Sequence, residues 1–236
     1  RSLGVAFDTL PLPDNPPTAR SMIFVTPDGE RSMNTFLGAC VELGPEDVEE
    51  EKAKGAKVTY FEGYLWDPPQ AKDAIRLTAT HAHAAGREVA MTLSDSFCVD
   101  RYRDEFLDLM RAGTVDIVFA NESELKALYQ TSSFDTGLDA IRKDCKLAVV
   151  TRSEHGSVAV RGEETVVIDA IEIDDLVDTT GAGDLYAAGF LYGYTSGRSL
   201  ADCGALGSLA AGLVIQQVGP RPRQNLLEEA QQRGLI

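Results

Sequence analysis

Short runs of β-branched and apolar residues alternate with helically periodic segments from residue 55 onwards. The apolar runs predict strands over residues 58–66, 88–93, 115–120 and 147–151. The segments between them predict helices over residues 68–85, 103–111, 122–129 and 134–145. Strands separated by helices of this length form βαβ units. The pattern therefore predicts an α/β fold with a doubly wound, mostly parallel sheet and helices on both faces.

The two ends of the chain carry other patterns. Two extended runs flank the turn sequence Pro27-Asp28-Gly29-Glu30 and predict a β-hairpin, with residues 4–7 as an adjoining strand. We interpret residues 1–40 as a small β lid and residues 41–236 as the α/β core, with an ordinary edge hairpin as the alternative for the lid. Apolar segments without a polar face predict buried helices over residues 185–194 and 200–217, and an amphipathic segment predicts a last helix over residues 225–232.

Charge and composition narrow the class of partner. The 236 residues contain 22 lysines and arginines against 37 aspartates and glutamates, which gives a formal net charge of −15. Such a surface repels nucleic acids and anionic membranes, and no apolar run of 18 residues occurs, so neither is an expected partner. Widely spaced cysteines and the lack of a signal peptide favour free, mostly buried thiols and a cytoplasmic location.

A short run of small residues, Asp178-Thr179-Thr180-Gly181-Ala182-Gly183-Asp184, precedes the first of the two apolar helices. Backbone N–H groups at the start of a helix are unsatisfied and carry partial positive charge, which favours an anion there. A carboxylate at Asp184 can accept the proton of a hydroxyl that attacks a bound phosphoryl group; the alternative is that it only stabilises the helix start. No lysine follows at the position that a Walker A loop requires. Tyr186 occupies the third glycine position of the dinucleotide fingerprint, and this departure disfavours a dehydrogenase.

Together with Leu185-Tyr186-Ala187-Ala188-Gly189-Phe190, this loop resembles the second signature of the PfkB, or ribokinase-like, carbohydrate kinases. That family includes ribokinase, fructokinase and adenosine kinase. Asn121-Glu122-Ser123-Glu124 resembles its Asn-x-x-Glu element, and residues 150–156 resemble its Val-Thr-x-Gly-x-x-Gly strand end. The hairpin resembles the lid that covers the substrate. The resemblance extends from about residue 3 to the end of the chain and implies the ribokinase-like fold, with residues 41–236 as nucleotide-binding and catalytic core.

The resemblance implies a kinase that uses ATP and Mg²⁺, and it gives roles to several positions. Asp184 would take the proton from a primary hydroxyl, and an anion hole for the γ-phosphate would be formed by Gly181, Ala182 and Gly183. Asn121 and Glu124 would place Mg²⁺ and the phosphates through water; a solvated helix residue is the alternative for Glu124. Further implied contacts with the nucleotide are Thr151, Ser153, Glu154, Gly156, Thr180 and, near the adenine, Gly207 and Ala211.

The resemblance also implies features that are less well defined. Asp178 and the loop at Gly219 resemble a region that holds a monovalent cation such as K⁺, with a loop hydrogen bond as the alternative for Asp178. The resemblance suggests a homodimer through the lid, and a monomer is also compatible with it.

The phosphoryl acceptor is the most open question. The lid stretch over residues 30–39 looks most similar to adenosine kinase-like members, so adenosine is the leading candidate, with Asn34 and Phe36 as candidate substrate contacts. A sugar of the fructose or 2-keto-3-deoxygluconate type is the alternative. An aromatic slot for a base can be formed by Phe7, Phe36 and Phe97, although each of these is more typical of a core residue.

Two departures from the family pattern bear on activity. Ser153 stands where the family has glycine, which is tolerable if its φ is negative. The family's Gly-Gly-x-x-x-Asn element, which contacts the substrate, does not occur, and the sequence begins at Arg1 without a methionine. The expectation is therefore that the N-terminal part of the family fold is missing. The second hypothesis is a nucleotide-binding or regulatory protein of this fold that does not turn over.

Overall fold

The first two strands form a hairpin that is separate from the central sheet. The computed structural model describes residues 4–12 and 16–236. Strands β1 (Arg20–Val25) and β2 (Arg31–Phe36) pair antiparallel, with Ile23 opposite Met33. The predicted hairpin is confirmed, but the predicted strand over residues 4–7 is wrong, because these residues do not form a strand of either sheet. The division into lid and core stays a prediction.

Four parallel strands and one antiparallel hairpin make up the central sheet. The parallel strands lie side by side in chain order: β3 (Val58–Glu62), β4 (Glu88–Thr92), β5 (Ile117–Asn121) and β6 (Leu147–Thr151). Two antiparallel strands extend the sheet beyond β6: β7 (Ser157–Arg161) and β8 (Glu164–Ile168). The sequence pattern predicted the four parallel strands and missed β7 and β8. The mostly parallel sheet is confirmed.

Helices cover both faces of this sheet. In chain order they are α1 (Glu50–Gly55), α2 (Pro69–Ala84), α3 (Ser96–Arg111), α4 (Glu122–Tyr129), α5 (Phe134–Asp144), α6 (Ala182–Thr195), α7 (Leu200–Val214) and α8 (Leu226–Gln232). Val118 and Ala120 of β5 point to the face covered by α2 to α5, whereas Ile117 and Phe119 point to α6 and α7. Because successive strand residues face opposite sides, a run that is apolar throughout is buried on both.

Several element boundaries differ from those predicted. The strand predicted over residues 58–66 ends at Glu62, and a short 3₁₀ turn, Gly63–Trp66, follows it. α3 begins at Ser96 rather than at 103, because the Asp95 side chain accepts a hydrogen bond from the Cys98 N–H at 2.6 Å and caps the helix there. α6 begins at Ala182 rather than at 185, which places the last residues of the loop inside its first turn.

The prediction of mostly buried thiols holds only in part, because Cys40 is exposed and Cys145 is half-buried. All four cysteines are free; Cys98 and Cys203 are buried. Among residues 4–12 and 16–236, no helix is both long and apolar enough to cross a bilayer.

Candidate functional site

The carboxyl ends of the central strands bring the sequence motifs to one edge of the sheet. Asn121, the last residue of β5, lies opposite Thr151, the last residue of β6. Thr151 in turn lies opposite Ser157, the first residue of β7. In sheets of this type ligands bind at this edge, where strands lead into helices. Two of the predicted nucleotide contacts are thus neighbours.

Asn121 and Glu124 form a reciprocal cap at the start of α4. The Asn121 side chain accepts a hydrogen bond from the Glu124 N–H at 2.8 Å, and Glu124 accepts from the Asn121 N–H at 2.9 Å and from its Nδ2 at 2.6 Å. Glu124 is only 4% exposed, so its reading as a solvated helix residue is wrong. Burial raises the pKa of Glu124 from 4.5 to about 7, although the hydrogen bond from the Asn121 backbone acts in the opposite direction.

Glu124 should make folding stability fall with rising pH. Below pH 4.5 its carboxyl group is protonated in the folded and unfolded states, whereas above pH 7 it is ionised in both and the folded state carries the cost of burial. We expect the wild type to lose on the order of 2–3 kcal/mol relative to Glu124→Gln as the pH rises through this window. Urea unfolding of both proteins at pH 5 and pH 8, with EDTA present, measures this. Equal losses in the two proteins contradict it.

The small-residue loop turns sharply at Gly181 and then becomes helix. Gly181 has φ +84°, and an added Cβ there would lie 2.6 Å from Cβ of Pro220, so this position requires glycine. The Ala182 N–H donates to the Thr179 carbonyl at 3.2 Å. In contrast, the N–H groups of Gly181 and Gly183 have no partner among the described residues. Two of the three predicted anion-hole donors are therefore available, and Asp184 is an exposed carboxylate beside them.

Asp178 holds this loop from inside. It is 2% exposed, and it accepts hydrogen bonds from the Thr180 N–H at 2.9 Å, from Thr180 Oγ1 at 2.6 Å and from the Gly219 N–H at 2.9 Å. Burial alone would raise the pKa of Asp178, but these hydrogen bonds outweigh burial and lower it. The geometry supports the loop hydrogen bond as its role and explains the burial of Thr180; the monovalent-cation role stays a prediction.

Side-chain contacts bring this loop to the same edge as Asn121 and Glu124. Tyr186, in the first turns of α6, shares a 2.6 Å hydrogen bond with Ser157, the strand residue that lies opposite Thr151. Burial raises the pKa of Tyr60, and the negative charges of Glu62 and Asp184 raise it further. Sequence reasoning missed Glu62, although a carboxylate that ends a parallel strand is itself a signal for this edge.

A cavity of about 370 Å³ lies beside these strand ends. Four predicted nucleotide contacts line it: Asn121, Thr151, Ser153 and Glu154. His155, which belongs to the segment predicted to flank the nucleotide, also lines it, as do four residues for which no nucleotide contact was predicted: Glu122, Ser123, Lys126 and Arg152. Most of these side chains are polar or charged, which suits a charged ligand. Thr151, Ser153 and Glu154 thus lie together at this cavity, and their contact with a nucleotide stays a prediction.

The turn after β6 places a serine in a conformation that favours glycine. Ser153 has φ +52°, so the tolerable case of a negative φ does not apply. Gly156 has φ +76°, and a Cβ there would come within 2.0 Å of the Ile168 carbonyl oxygen. Gly156 therefore shapes the turn, and its contact with a nucleotide stays a prediction.

Ser153→Gly is expected to raise the free energy of unfolding by about 0.5–1 kcal/mol. Release from the left-handed region is worth roughly 1–2 kcal/mol, part of which is offset by the greater freedom of glycine in the unfolded chain. Urea unfolding checks this value. Ser153→Ala is the matched control, because it removes the hydroxyl group but keeps the Cβ atom and should bring no gain. Equal stability of the glycine and alanine variants contradicts the argument.

The hairpin contacts the loop through its turn rather than through its predicted substrate residues. Arg31 Nη1 donates to Thr179 Oγ1 at 2.7 Å, and the Gly29 carbonyl accepts from the Thr179 N–H at 3.3 Å and from its Oγ1 at 3.2 Å. Asn34 and Phe36 lie on the other face of β2 from Arg31. Neither bonds to the loop within the described residues, so their contact with a substrate stays a prediction.

The remaining predicted positions lie in other surroundings. The three phenylalanines proposed for an aromatic slot, which were expected in the core, are exposed: Phe7, Phe36 and Phe97. Gly207 is buried between α6 and α7, where a Cβ would lie 2.9 Å from the Tyr186 carbonyl oxygen, so close helix packing explains this glycine. Ala211 is half-buried against the same core. The structure brings neither Gly207 nor Ala211 to the cavity lining, and their place near an adenine stays a prediction.

Comparisons with known proteins show the family to which the chain belongs. The profile of the family described as pfkB family carbohydrate kinase matches residues 1–225. Adenosine kinase from Saccharomyces cerevisiae is 31% identical over 205 residues, which cover 80% of this chain and 59% of that protein. The chain thus spans less than two thirds of this relative.

Two solved structures are more similar. Adenosine kinase from Sinorhizobium meliloti has 68% identity and a TM-score of 0.96, with 98% of this chain and 71% of that chain covered. A probable sugar kinase protein from Rhizobium etli has 66% identity and a TM-score of 0.98, with 100% and 71% covered. The fold is therefore shared with both.

Proposed function

Because the chain belongs to the pfkB family of carbohydrate kinases, we propose that the protein transfers the γ-phosphate of ATP to a primary hydroxyl group of a sugar or ribonucleoside. The observation that carries this proposal is the position of Asp184. Its exposed carboxylate lies in the first turn of α6, beside the unpartnered N–H groups of Gly181 and Gly183 in the part of the chain described. A base and an anion site thus adjoin each other.

The proposed reaction uses these groups directly. The acceptor hydroxyl gives its proton to the Asp184 carboxylate, and its oxygen forms a bond to the γ-phosphorus as the bond from that phosphorus to the bridging oxygen of ADP breaks. The N–H groups of Gly181 and Gly183 hold the phosphoryl oxygens where negative charge is spread in the transition state. Asp178 supports catalysis indirectly, since it fixes the loop through Thr180 and Gly219.

Asn121 and Glu124 are the residues that would hold Mg²⁺ through water. Each Glu124 oxygen accepts one hydrogen bond from Asn121, and a carboxylate has about four acceptor sites, so both oxygens can still bind water. Oxygen donors and retained water suit Mg²⁺, so the residues present fit this ion. When bound, the ion neutralises charge on the β- and γ-phosphates.

Adenosine is the acceptor we propose first. Its support is the 68% identity to the Sinorhizobium meliloti adenosine kinase, together with the lid stretch over residues 30–39. The similar protein from Rhizobium etli is described only as a probable sugar kinase, so a sugar of the fructose or 2-keto-3-deoxygluconate type is the second candidate. Both candidates offer a primary hydroxyl group, and the same catalytic groups serve either.

The decisive experiment is an acceptor panel on the full-length gene product. ADP release with Mg-ATP is measured against adenosine, other nucleosides, ribose, fructose and 2-keto-3-deoxygluconate. We expect turnover that depends on the acceptor and is fastest with adenosine. If turnover is fastest with a sugar, the result supports the kinase activity and replaces adenosine with that sugar as the proposed acceptor. ATP binding without turnover by any acceptor contradicts the kinase and supports a regulatory nucleotide-binding protein.

We also propose a homodimer through the lid hairpin. Three large apolar side chains share one face of this hairpin and are exposed by half or more: Met22, Phe24 and Phe36. Exposed apolar faces of this kind mark interaction surfaces. Sedimentation of the wild type and of Phe24→Ser tests the proposal, with a dimer expected only for the wild type.

A potassium requirement is the last part of the proposal. A cation beside the loop that Asp178 joins to Gly219 would bias the anion site electrostatically. Activity in potassium chloride is expected to exceed activity in choline chloride at equal ionic strength. Equal activity in the two salts removes the requirement.

A further inference from the structure

The carboxylate of Glu122, in the 370 Å³ cavity, is hydrogen-bonded to two positively charged side chains. Arg152 Nε donates to Glu122 Oε2 at 2.8 Å, and Lys126 Nζ donates to Glu122 Oε1 at 2.6 Å. All three residues line the cavity beside Asn121. The cavity lining thus holds two cations, Lys126 and Arg152, and two carboxylates, Glu122 and Glu154, in a chain whose net charge is −15.

The Arg152 guanidinium is fixed in place with donors left over. Its central carbon lies 3.9 Å from the ring centroid of Phe134, so the guanidinium stacks on this ring while Nε is bound to Glu122. Its two terminal nitrogens have no hydrogen-bond partner among the described residues. A surface ion pair needs neither the stacking nor the spare donors. A fixed fork of N–H groups is instead what binds phosphate oxygens well.

The cavity with these two cationic side chains lies at the same edge of the sheet as α6, which begins at the small-residue loop. Ser157 is hydrogen-bonded to Tyr186 of α6, and Asn121 is two strands away from Ser157. Two strand spacings amount to about 10 Å. The strand ends thus link α6, which begins at the small-residue loop, with the cavity that Arg152 and Lys126 line.

We infer that Arg152 and Lys126, held by Glu122, bind the diphosphate portion of the donor nucleotide. This inference rests on the proposed function, because it completes the donor site of that reaction. Lys126 Nζ uses one of its N–H groups on Glu122 and has others for an anion. Glu122 acts as a positioning residue, since it orients both cations and keeps them together in the absence of ligand.

The test is calorimetric binding of ADP and of adenosine to Arg152→Met and Lys126→Met, without an acceptor. Methionine keeps an unbranched apolar stem, which for Arg152 can still lie over Phe134. Each variant is expected to weaken ADP binding about 10-fold or more, the usual effect of a lost charge-assisted hydrogen bond, and to leave adenosine binding within twofold. Arg152→Lys should restore part of the ADP affinity, because it returns the charge but not the fork.

Lys54→Met is the matched control, since Lys54 forms the same i,i+4 pair with Glu50 on α1 and does not line the cavity. It should leave both affinities unchanged. Unchanged ADP binding in both cavity variants overturns the inference, as does an equal loss for ADP and adenosine, which shows a distorted loop. Free inorganic diphosphate serves as a further probe: if it displaces ADP from the wild type but not from Arg152→Met, the diphosphate itself is recognised.

The binding experiment and the acceptor panel test the inference and the proposed function separately. The affinities are measured without an acceptor, so the inference can fail while the acceptor panel still shows turnover. Conversely, ADP binding that depends on Arg152 supports the inference even if no acceptor is phosphorylated. A wild type that binds no ADP contradicts both.

Discussion

Replacing Asp184 with asparagine is expected to lower kcat by about 10²–10⁴-fold, the usual contribution of a positioned general base. The asparagine side chain has the same size and can still accept a hydrogen bond, but it cannot take the proton of the acceptor. Binding of Mg-ATP should remain within a few-fold of the wild type, since the donor N–H groups belong to the backbone of Gly181 and Gly183. Steady-state kinetics and calorimetry on the same preparations measure the two effects.

Asp202→Asn is the control that separates catalysis from helix stability. Asp202, like Asp184, is an exposed carboxylate in the first turn of an apolar helix, in this case α7. If Asp184 only stabilises the start of α6, the two substitutions should have similar effects, small on stability and negligible on kcat. A kcat for Asp184→Asn within threefold of the wild type would sink the assignment of the base.

Gly183→Ala should make the protein slightly more stable and much less active. An added Cβ at Gly183 meets nothing within 4 Å, and alanine is favoured over glycine in a helix by about 0.5–1 kcal/mol. The same methyl group, however, projects into the open space in front of the helix start, where the phosphoryl oxygens must approach the N–H groups. We expect kcat to fall by about 10²–10³-fold, as after loss of one anion-hole donor.

Gly181→Ala supplies the contrast for this prediction. Its positive φ and the 2.6 Å approach to Pro220 mean that alanine cannot fit without a shift of the loop, so this variant should lose both stability and activity. Thermal unfolding together with kcat distinguishes the two glycines. Full activity of Gly183→Ala would show that the phosphoryl group lies elsewhere.

The parallel half of the sheet was predictable because its strands are apolar on both faces. β6 was predicted with the correct bounds, since all but the last of its residues are buried. β7 and β8 were missed: β8 leaves Val167 exposed, so its pattern does not separate a buried strand from a loop. Helix starts were placed too late at α3 and α6, because the caps at Asp95 and Gly181 decide them and apolar periodicity begins only later.

In the candidate site, contacts between residues close in sequence were predictable, whereas contacts between residues far apart in the chain were not. The Asn121–Glu124 cap involves residues three apart, so a short motif encodes it completely. The stacking of Arg152 on Phe134 and the bond from Arg31 to Thr179 join residues far apart in the chain. No spacing rule connects such residues. They become neighbours only once the sheet and the hairpin have assembled.

The contact between the hairpin turn and the loop has a thermodynamic consequence. Thr179 is bonded three times to this turn, twice to the Gly29 carbonyl and once to Arg31, and it lies two residues before Gly181, the first of the two glycines with a proposed anion-binding N–H group. The hairpin cannot move away without giving up these bonds. Linkage is reciprocal: a ligand that fixes the hairpin must raise the affinity of the loop for an anion by the same factor that the anion raises the affinity for that ligand.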